Sequence, residues 1–256
     1  LSPWKPLKFK WKATIRNIFR YKKNMLLTII SVMGCTALIL TGFGLNDSVN
    51  AVTDIQYGSI LKYDTLIEYS GDLAQSENEA LNSLLAEAGS ENYLSVYKES
   101  GRLTFGSGKN SSSETVDLYV IEDSSAFNDF VSLHNRKTSA IIDITKSTGA
   151  AVILPENIAV VYGIETGDTL SYSRTGEEPV TVTVYGVCEN YTGSYVYISA
   201  SAYSDLFGRE VSKNTLLIKS GLTEEERDGM VRDVLGGNKG DKFEVSSVDF
   251  TSTQEE

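Results

Sequence analysis

The chain is 256 residues long, is 41% hydrophobic and 22% charged, and carries a formal net charge of −11. Eight of its 23 basic residues and none of its 34 acidic residues fall within residues 1–46, so the remainder carries a net charge of −19. An acidic remainder of about 210 residues suits one large domain or two small ones and offers no basic surface for nucleic acid. Of the two cysteines, Cys35 lies in an apolar run and Cys188 in the acidic part, so we expect no disulfide between them.

Residues 1–23 have the pattern of a basic amphipathic helix. The apolar residues that share one helical face are Trp11, Ile15, Ile18 and Phe19. Basic residues recur every four positions beside that face, which suits the headgroup layer of an anionic leaflet, although such a helix could also pack on a cytoplasmic protein. The basic residues that we expect at the cytoplasmic membrane surface are Lys8, Lys12, Arg16, Arg20, Lys22 and Lys23.

Residues 24–46 form an uncharged run of 23 positions, ten of which are Leu, Ile, Val or Phe. At about 1.5 Å per residue a helix of this length spans roughly 34 Å, enough to cross a hydrocarbon core of about 30 Å. A cleaved secretory signal would have a shorter apolar region, and the lipobox-like residues 32–35 are followed by apolar or small residues where a lipoprotein linker turns polar. We therefore expect a transmembrane helix, and the basic residues before it place the N-terminus in the cytoplasm.

The chain beyond the apolar run is predicted to form a helical stalk, residues 47–60, and an extracytoplasmic domain, residues 61–250. Strands are predicted near residues 63–69, 93–97, 116–122, 180–187 and 215–218. Helices are predicted after the capping box at residues 76–79, from Pro155 to Gly163, over residues 200–207 and from Thr223 to Gly236, with a solvated loop at residues 107–113. The fold class is α+β, with mixed helices and strands in two subdomains. Residues 251–256 are a tail, after which further transmembrane helices are expected.

No constellation in the sequence points to catalysis, a metal ion or a nucleotide. Residues 106–109 (GSGK) resemble the end of a phosphate loop, but Leu103 and Asn110 stand where that motif needs Gly and Ser or Thr. His134 is the single histidine, which excludes a His-pair metal site, and we expect it on the surface. Cys188 is expected to be a small core residue. We therefore expect no enzyme and no catalytic, cofactor-binding or metal-binding residue.

Several segments resemble a known family of membrane proteins. Residues 11–23 (WKATIRNIFRYKK), 34–38 (GCTAL) and 41–48 (TGFGLNDS) are similar to the start of a half-repeat in large FtsX/MacB-type ABC transporter permeases of Gram-positive bacteria. The segments that resemble a MacB-like extracytoplasmic domain are 152–159 (VILPENIA), 163–170 (GIETGDTL), 186–191 (GVCENY), 195–199 (YVYIS) and 206–208 (LFG). Together these segments extend over most of the chain.

The resemblance implies a permease subunit that works with a separate cytoplasmic ABC ATPase, with membrane lipids and with a second permease half or subunit. In that family one helix leads out to an extracytoplasmic domain, and ATP-driven movement at the cytoplasmic face is passed along the helices. This mode of action is called mechanotransmission. The substrate implied is amphipathic, such as a peptide or a lipid-linked molecule, and no cofactor is implied.

Two other interpretations of the same sequence stay open. A stalk and an acidic domain would also suit the extracytoplasmic sensor domain of a membrane signalling receptor. A membrane-anchored extracellular enzyme is the third hypothesis, although no residue is nominated as catalytic. The segment after residue 256 discriminates the first two, because three further spans favour the permease and one span leading to a kinase or methyl-accepting region favours the receptor.

Overall fold

The structure is a computed structural model that describes residues 9–69, 79, 81–83, 85, 86, 89, 91–106, 111–174, 176–221 and 243–247, the last range for the backbone only. It divides into two compact units, Leu1–Val52 and Thr53–Glu256. Lys8, the GSGK segment beyond Gly106 and the predicted helix from Thr223 lie outside the described residues. Only fragments of the predicted helix after residues 76–79 are described, and they are helical.

The first unit contains one helix and all but the last two residues of another. Helix α1 spans Phe9–Arg20 and helix α2 spans Lys22–Asp54. They meet at Tyr21, whose N–H lies 3.2 Å from two carbonyl groups, those of Asn17 and Ile18. Neither helix has a buried residue. The hydroxyls that donate to the carbonyl one turn earlier in α2 are those of Thr28, Ser31, Thr36, Thr41 and Ser48. These polar groups therefore need no partner outside their own helix.

Helix α2 continues into a π-helical turn, Ile55–Ile60, which belongs to the second unit. The continuous helix Lys22–Ile60 has 39 residues, and among the described residues it is the one helix long and apolar enough to cross a membrane. The Leu61 N–H donates to the Gln56 carbonyl at 2.8 Å, five residues back along the chain. This spacing is that of a π-helix, a conformation that is rare in proteins and is often found at functional sites.

Nine strands are described in the second unit. They are β1 Thr65–Tyr69, β2 Tyr93–Phe105, β3 Ser112–Ile121, β4 Ala151–Pro155, β5 Thr169–Ser173, β6 Val180–Cys188, β7 Tyr195–Ser199, β8 Thr215–Ile218 and β9 Phe243–Ser247. Their order is β3-β7-β4-β6-β5-β2-β8-β1-β9, and β2 also pairs with β3. Six strands therefore close into a barrel. The sheet has two parts, the barrel and the strands β8, β1 and β9. Strand β2 belongs to both parts, because residues 93–96 pair with β8 and residues 97–105 pair with β3.

Neighbouring apolar side chains of the barrel strands belong in turn to two different apolar clusters. Val152 and Leu154 belong to the first cluster together with Leu103, whereas Ala151 and Ile153 belong to the second. Successive side chains of a strand point to opposite faces of the sheet, so a run such as AVILP is buried on both sides. The first cluster also receives residues of two helices, and the second receives the π-helical turn.

Three short helices of the second unit have local end signals. Helix α3 spans Ser124–Phe130, α4 spans Glu156–Tyr162 and α5 spans Ala200–Phe207, and a 3₁₀ turn covers Ile144–Lys146. The Ser199 hydroxyl caps α5 by accepting the Ala202 N–H at 3.3 Å. Gly163 and Gly208 adopt left-handed φ values of 63° and 62°, which end α4 and α5 without a Cβ penalty.

The predicted α+β class is confirmed, and the two parts of the sheet meet in β2. Helix α5 and strand β8 have the predicted bounds. The loop predicted over residues 107–113 is wrong for Ser112 and Ser113, which begin β3 because they pair with Phe105 and Thr104 of β2. Helix α3 and strands β4, β5, β7 and β9 were not predicted.

Candidate functional site

The cationic face of α1 is the first candidate site. Trp11 and Phe19 are 61% and 58% exposed, so among the described residues the apolar side of this helix is not covered by protein. Of the six predicted basic residues, Lys8 lies outside the described part of the chain. The other five lie on the first two helices, half-buried for Lys12 and exposed for Arg16, Arg20, Lys22 and Lys23. A helix that exposes one apolar and one cationic face suits the surface of an anionic membrane.

The second candidate is the junction, which we define as Gln56, His134, Glu189, Asn190 and Tyr191. Gln56 is 0% exposed; its Nε2 donates to Asn190 Oδ1 at 2.8 Å, and its Oε1 accepts the Tyr191 N–H at 2.9 Å. Asn190 is 3% exposed, and its Nδ2 donates to the carbonyls of residues 192 and 193. Both side-chain amides are therefore buried and are bonded through their oxygen and their nitrogen, as buried amides need to be.

Backbone hydrogen bonds hold the same turn against residues 130–132. The Ser132 N–H donates to the Ile60 carbonyl and the Lys62 N–H donates to the Phe130 carbonyl, each at 2.8 Å. Ile60 is 1% exposed and packs in the second apolar cluster. The end of the helix is thus fixed by apolar packing, by backbone bonds and by the Gln56 amide.

His134 joins the junction through Glu189. Its Nε2 lies 2.7 Å from Glu189 Oε2, and the two side chains are 21% and 10% exposed. The Tyr191 hydroxyl donates to the other oxygen of Glu189, and this hydrogen bond, together with partial burial, raises the pKa of Tyr191 to about 12. The surface position predicted for His134 is therefore wrong, because its ring is half-buried against a carboxylate 55 residues away in the chain.

The row Ser132, His134 and Glu189 contains the residue types of a hydrolase triad. The Ser132 hydroxyl lies 3.1 Å from His134 Nδ1, and the Ser132 carbonyl lies 3.3 Å from the same nitrogen. The ring nitrogen can thus accept from the hydroxyl or donate to the carbonyl, so the ring is bonded in either protonation state. We interpret this row as a hydrogen-bond chain that positions Glu189.

A cavity of about 400 Å³ opens beside the junction. Helix α4, residues 135–137 and the end of β6 line it, and Glu189 forms part of its wall. Arg136 Nε lies 2.8 and 3.1 Å from the two oxygens of Glu156, which also line it. Cys188 is buried, as predicted, and its burial raises the pKa of its thiol to about 12. A lining that mixes apolar and charged groups suits a ligand with apolar and polar parts.

A second buried polar cluster surrounds Glu99, whose side chain is 6% exposed. Its carboxylate lies 3.0 Å from Arg174 Nε and accepts the hydroxyls of Tyr97, Tyr172 and Tyr203. Burial and the negative charge of Glu99 raise the pKa of Tyr172 well above its usual range. Because Arg174 and three tyrosine hydroxyls surround the buried carboxylate, we interpret this cluster as structural. Among the described residues no three His, Cys, Asp or Glu side chains are placed to hold a metal ion.

Gln56, Asn190 and Glu189 were not predicted to be functional residues. Gln56 lies in the run IQYGSI, residues 55–60, which also contains Ser59, so nothing in the local sequence marks it as a buried amide. Its partner Asn190 is 134 residues away, and no pattern in the sequence pairs the two.

No protein-family model and no curated protein sequence matches the chain. Among solved structures, the periplasmic region of MacB from Actinobacillus actinomycetemcomitans is 14% identical, with a TM-score of 0.40 over 73% of this chain and 90% of that one. The extracellular domain of the ABC-type transporter YknZ from Gram-positive bacteria is 14% identical, with a TM-score of 0.41 over 72% of this chain and 100% of that one. A domain of a permease protein from Porphyromonas gingivalis is 12% identical, with a TM-score of 0.31 over 73% of this chain and 90% of that one.

At TM-scores below 0.5 these similarities decide neither family nor function. Both have to be argued from the residues of this chain.

Proposed function

We propose that the chain is all or part of the permease subunit of an FtsX/MacB-type ABC transporter. It couples ATP-driven motion of a separate cytoplasmic ATPase to an extracytoplasmic domain, for export or extraction of an amphipathic peptide or lipid-linked molecule. Helix α1 lies on the cytoplasmic membrane surface, α2 crosses the membrane, and the second unit lies outside. The proposal assigns no catalytic residue, resident cofactor or nucleic-acid partner.

The continuous helix Lys22–Ile60 is the observation that carries this proposal. A domain that was only anchored to the membrane could be connected by a flexible linker. Such a linker would not transmit a movement of the transmembrane helix to the domain. In this chain helical backbone runs from the apolar segment to Ile60, and the last turn is bonded within the second unit through the Gln56 side chain. Translation of such a helix along its axis, or rotation about it, would be transmitted to the domain.

The faces of α2 support a helical partner in the membrane. Leu38, Leu40 and Phe43 are 75%, 67% and 69% exposed. Gly34, Gly42 and Gly44 have nothing within 4 Å of the position of a Cβ, so another helix could approach closely there. These features support a second permease half or subunit beside α2, with lipid covering the other faces.

The test first searches the genes beside that of the full-length protein for an ABC ATPase, and then reconstitutes the two proteins together in lipid vesicles. We expect the two proteins to form a stable complex whose ATPase rate differs from that of the ATPase alone. An ATPase with its phosphate-loop lysine replaced is the matched control and should show no rate. Absence of a complex, or a full-length chain with one further span leading to a kinase, would contradict the proposal.

The cavity beside the junction favours a second candidate function, a sensor domain in a signalling receptor. A ligand in that cavity would touch Glu189, which neighbours the residues that hold the end of the helix. This candidate needs no ATPase partner. A ligand-dependent change in the activity of a kinase, with no ABC ATPase bound, would favour the sensor over the permease.

A further inference from the structure

We propose that Gln56 and Asn190 form a latch that sets the rotational register of the outgoing helix, and that helix motion reaches the segment 189–193 through this latch. The proposal deepens the proposed function and rests on it in one respect, namely that the helix moves during the ATPase cycle. The latch itself is a property of the second unit alone.

The two buried amides are compatible with only one rotational position of the helix. Gln56 is 0% exposed, and it uses its oxygen and its nitrogen on two consecutive residues, Asn190 and Tyr191. A one-residue rotation of the helix would bring Ile55 or Tyr57 to this place and leave buried amide groups without partners. Unpaired buried polar groups are strongly disfavoured, and a single buried amide is known to set helix register in coiled coils.

Gln56 lies in the π-helical turn Ile55–Ile60. This conformation contains one more residue per hydrogen-bonded ring than an α-helix, and it places Gln56 and Ile60 together in the interior. Between these two buried residues, Gly58 and Ser59 are exposed, and a Cβ at Gly58 would meet nothing within 4 Å. The exposed residues therefore do not force the chain into a π-helical turn. The contacts of the two buried residues, Gln56 and Ile60, stabilise it.

The latch continues from Asn190 into the segment 189–193 and the wall of the cavity. Asn190 donates to the carbonyls of Thr192 and Gly193, so its side chain fixes the whole segment 189–193. Tyr191 hydrogen-bonds Glu189, which in turn is held by His134 and lines the cavity. Two hydrogen bonds therefore connect Gln56 with the wall of the cavity. The Tyr191 N–H donates to Gln56, and the Tyr191 hydroxyl donates to Glu189.

The experiment compares backbone hydrogen exchange of residues 189–193 in the full-length protein, reconstituted with its ATPase, in the presence and absence of nucleotide. The variants are Gln56→Met, which keeps the length of the side chain and removes both hydrogen bonds, and Asn190→Ala, which removes the partner from the other side. Because either variant could fail to fold, the two are made separately, and thermal unfolding of each is measured. Ser59→Ala is the matched control on the exposed side of the same turn.

In the unmodified protein and in Ser59→Ala we expect nucleotide to change exchange in residues 189–193. In Gln56→Met we expect the Tyr191 amide, which has lost its acceptor, to exchange about tenfold faster or more, and the nucleotide effect to disappear while ATP is still hydrolysed. A nucleotide effect of the same size in Gln56→Met and Asn190→Ala overturns the latch and leaves the permease proposal standing. A complex that hydrolyses ATP without any change in these residues overturns the coupling, and the proposed function then fails with it.

Discussion

The two compact units of this chain use apolar side chains in opposite ways. In α2, Leu27 and Leu40 are each 67% exposed, whereas Leu103 and Leu118 of the barrel are 0% and 1% exposed. Burial of apolar surface is worth roughly 25 cal/mol per Å², so the second unit carries its own source of stability and the first does not. The first unit therefore needs lipid or another protein to cover it, which is the physical basis for placing α2 in a membrane.

Polar groups show the same contrast. Ser31 and Thr41 of α2 donate to carbonyls of their own helix, whereas buried polar groups of the domain, such as Glu99 with Tyr203, pair across long sequence distances. A helix whose polar groups are satisfied internally can move as a body without losing hydrogen bonds. The barrel cannot, because a shift of one strand would leave buried groups unpaired. Gln56 follows the apolar part of the continuous helix Lys22–Ile60, and its side chain is hydrogen-bonded to Asn190 within the second unit.

Reversing the charge of the first unit is expected to have the largest effect. We expect insertion to be inverted or blocked when four basic residues become glutamate, because positive flanks are retained in the cytoplasm. The four residues are Lys8, Lys12, Arg16 and Arg20. Added protease should digest the domain of the unmodified protein in intact spheroplasts and should leave it protected in the variant. The matched control exchanges Lys for Arg and Arg for Lys at the same positions and should keep the original orientation.

Truncation of Leu103 tests the other side of the comparison. Leu103→Ala removes a side chain that is 0% exposed, and we expect it to lower the free energy of unfolding of the domain by roughly 2–5 kcal/mol. Leu40→Ala, at a residue that is 67% exposed in α2, should leave that free energy unchanged. Urea unfolding in detergent, followed by near-ultraviolet circular dichroism, measures both. Equal effects would contradict the division into two units with different sources of stability.

The Glu99 cluster tests how far the domain depends on distant polar pairs. Glu99→Gln removes the charge opposite Arg174 and weakens the hydrogen bonds from three tyrosine hydroxyls. Hydrogen bonds to a charged group contribute roughly 1.5–3 kcal/mol, and we expect a loss of that size in the same unfolding measurement. Glu177→Gln, at a half-buried residue nearby, is the control and should cost less. A Glu99→Gln variant as stable as the unmodified protein would show that the cluster is not structural.

A smaller effect is expected at Asp64, which closes the loop after β8. Burial alone would raise the pKa of its carboxyl, but hydrogen bonds from the Ser220 and Gly221 backbone and from the hydroxyls of Ser220 and Thr65 hold it below its usual value. A lowered pKa means that this stabilisation is complete above the ordinary aspartate pKa of about 3.9 and is lost as the pH falls through the lowered value. We expect Asp64→Asn to cost about 1 kcal/mol at pH 7 and less near pH 3. Urea unfolding at both pH values measures the difference, and a cost that grows towards pH 3 would contradict the assignment.

The elements that could be predicted from the sequence are those with local signals. Helix α5 has a capping Ser199 before it and a left-handed Gly208 after it, so its bounds follow from neighbouring residues. Strand β4 was missed because AVILP is a short run buried on both faces, and such a run has no alternation to distinguish a strand from a helix. The first residues of β3 look like loop residues, and they become strand because β2 pairs with them.

The candidate site is harder to predict for the same reason. The cationic residues of α1 follow from spacing within a single helix. The junction depends on pairs separated by 134 residues for Gln56 and Asn190 and by 55 residues for His134 and Glu189. Such pairs join residues that are far apart in the chain, and neither composition nor periodicity records them.

The most direct measurement is the side of the membrane on which each unit lies. Cys35 and Cys188 are first replaced with Ala, and a single cysteine is then introduced by Arg16→Cys or by Val161→Cys, at residues that are exposed. A membrane-impermeant maleimide should label Val161→Cys in intact cells, and it should label Arg16→Cys only after the membrane is permeabilised. Labelling of Arg16→Cys in intact cells, with Val161→Cys protected, would contradict the orientation on which the permease account depends.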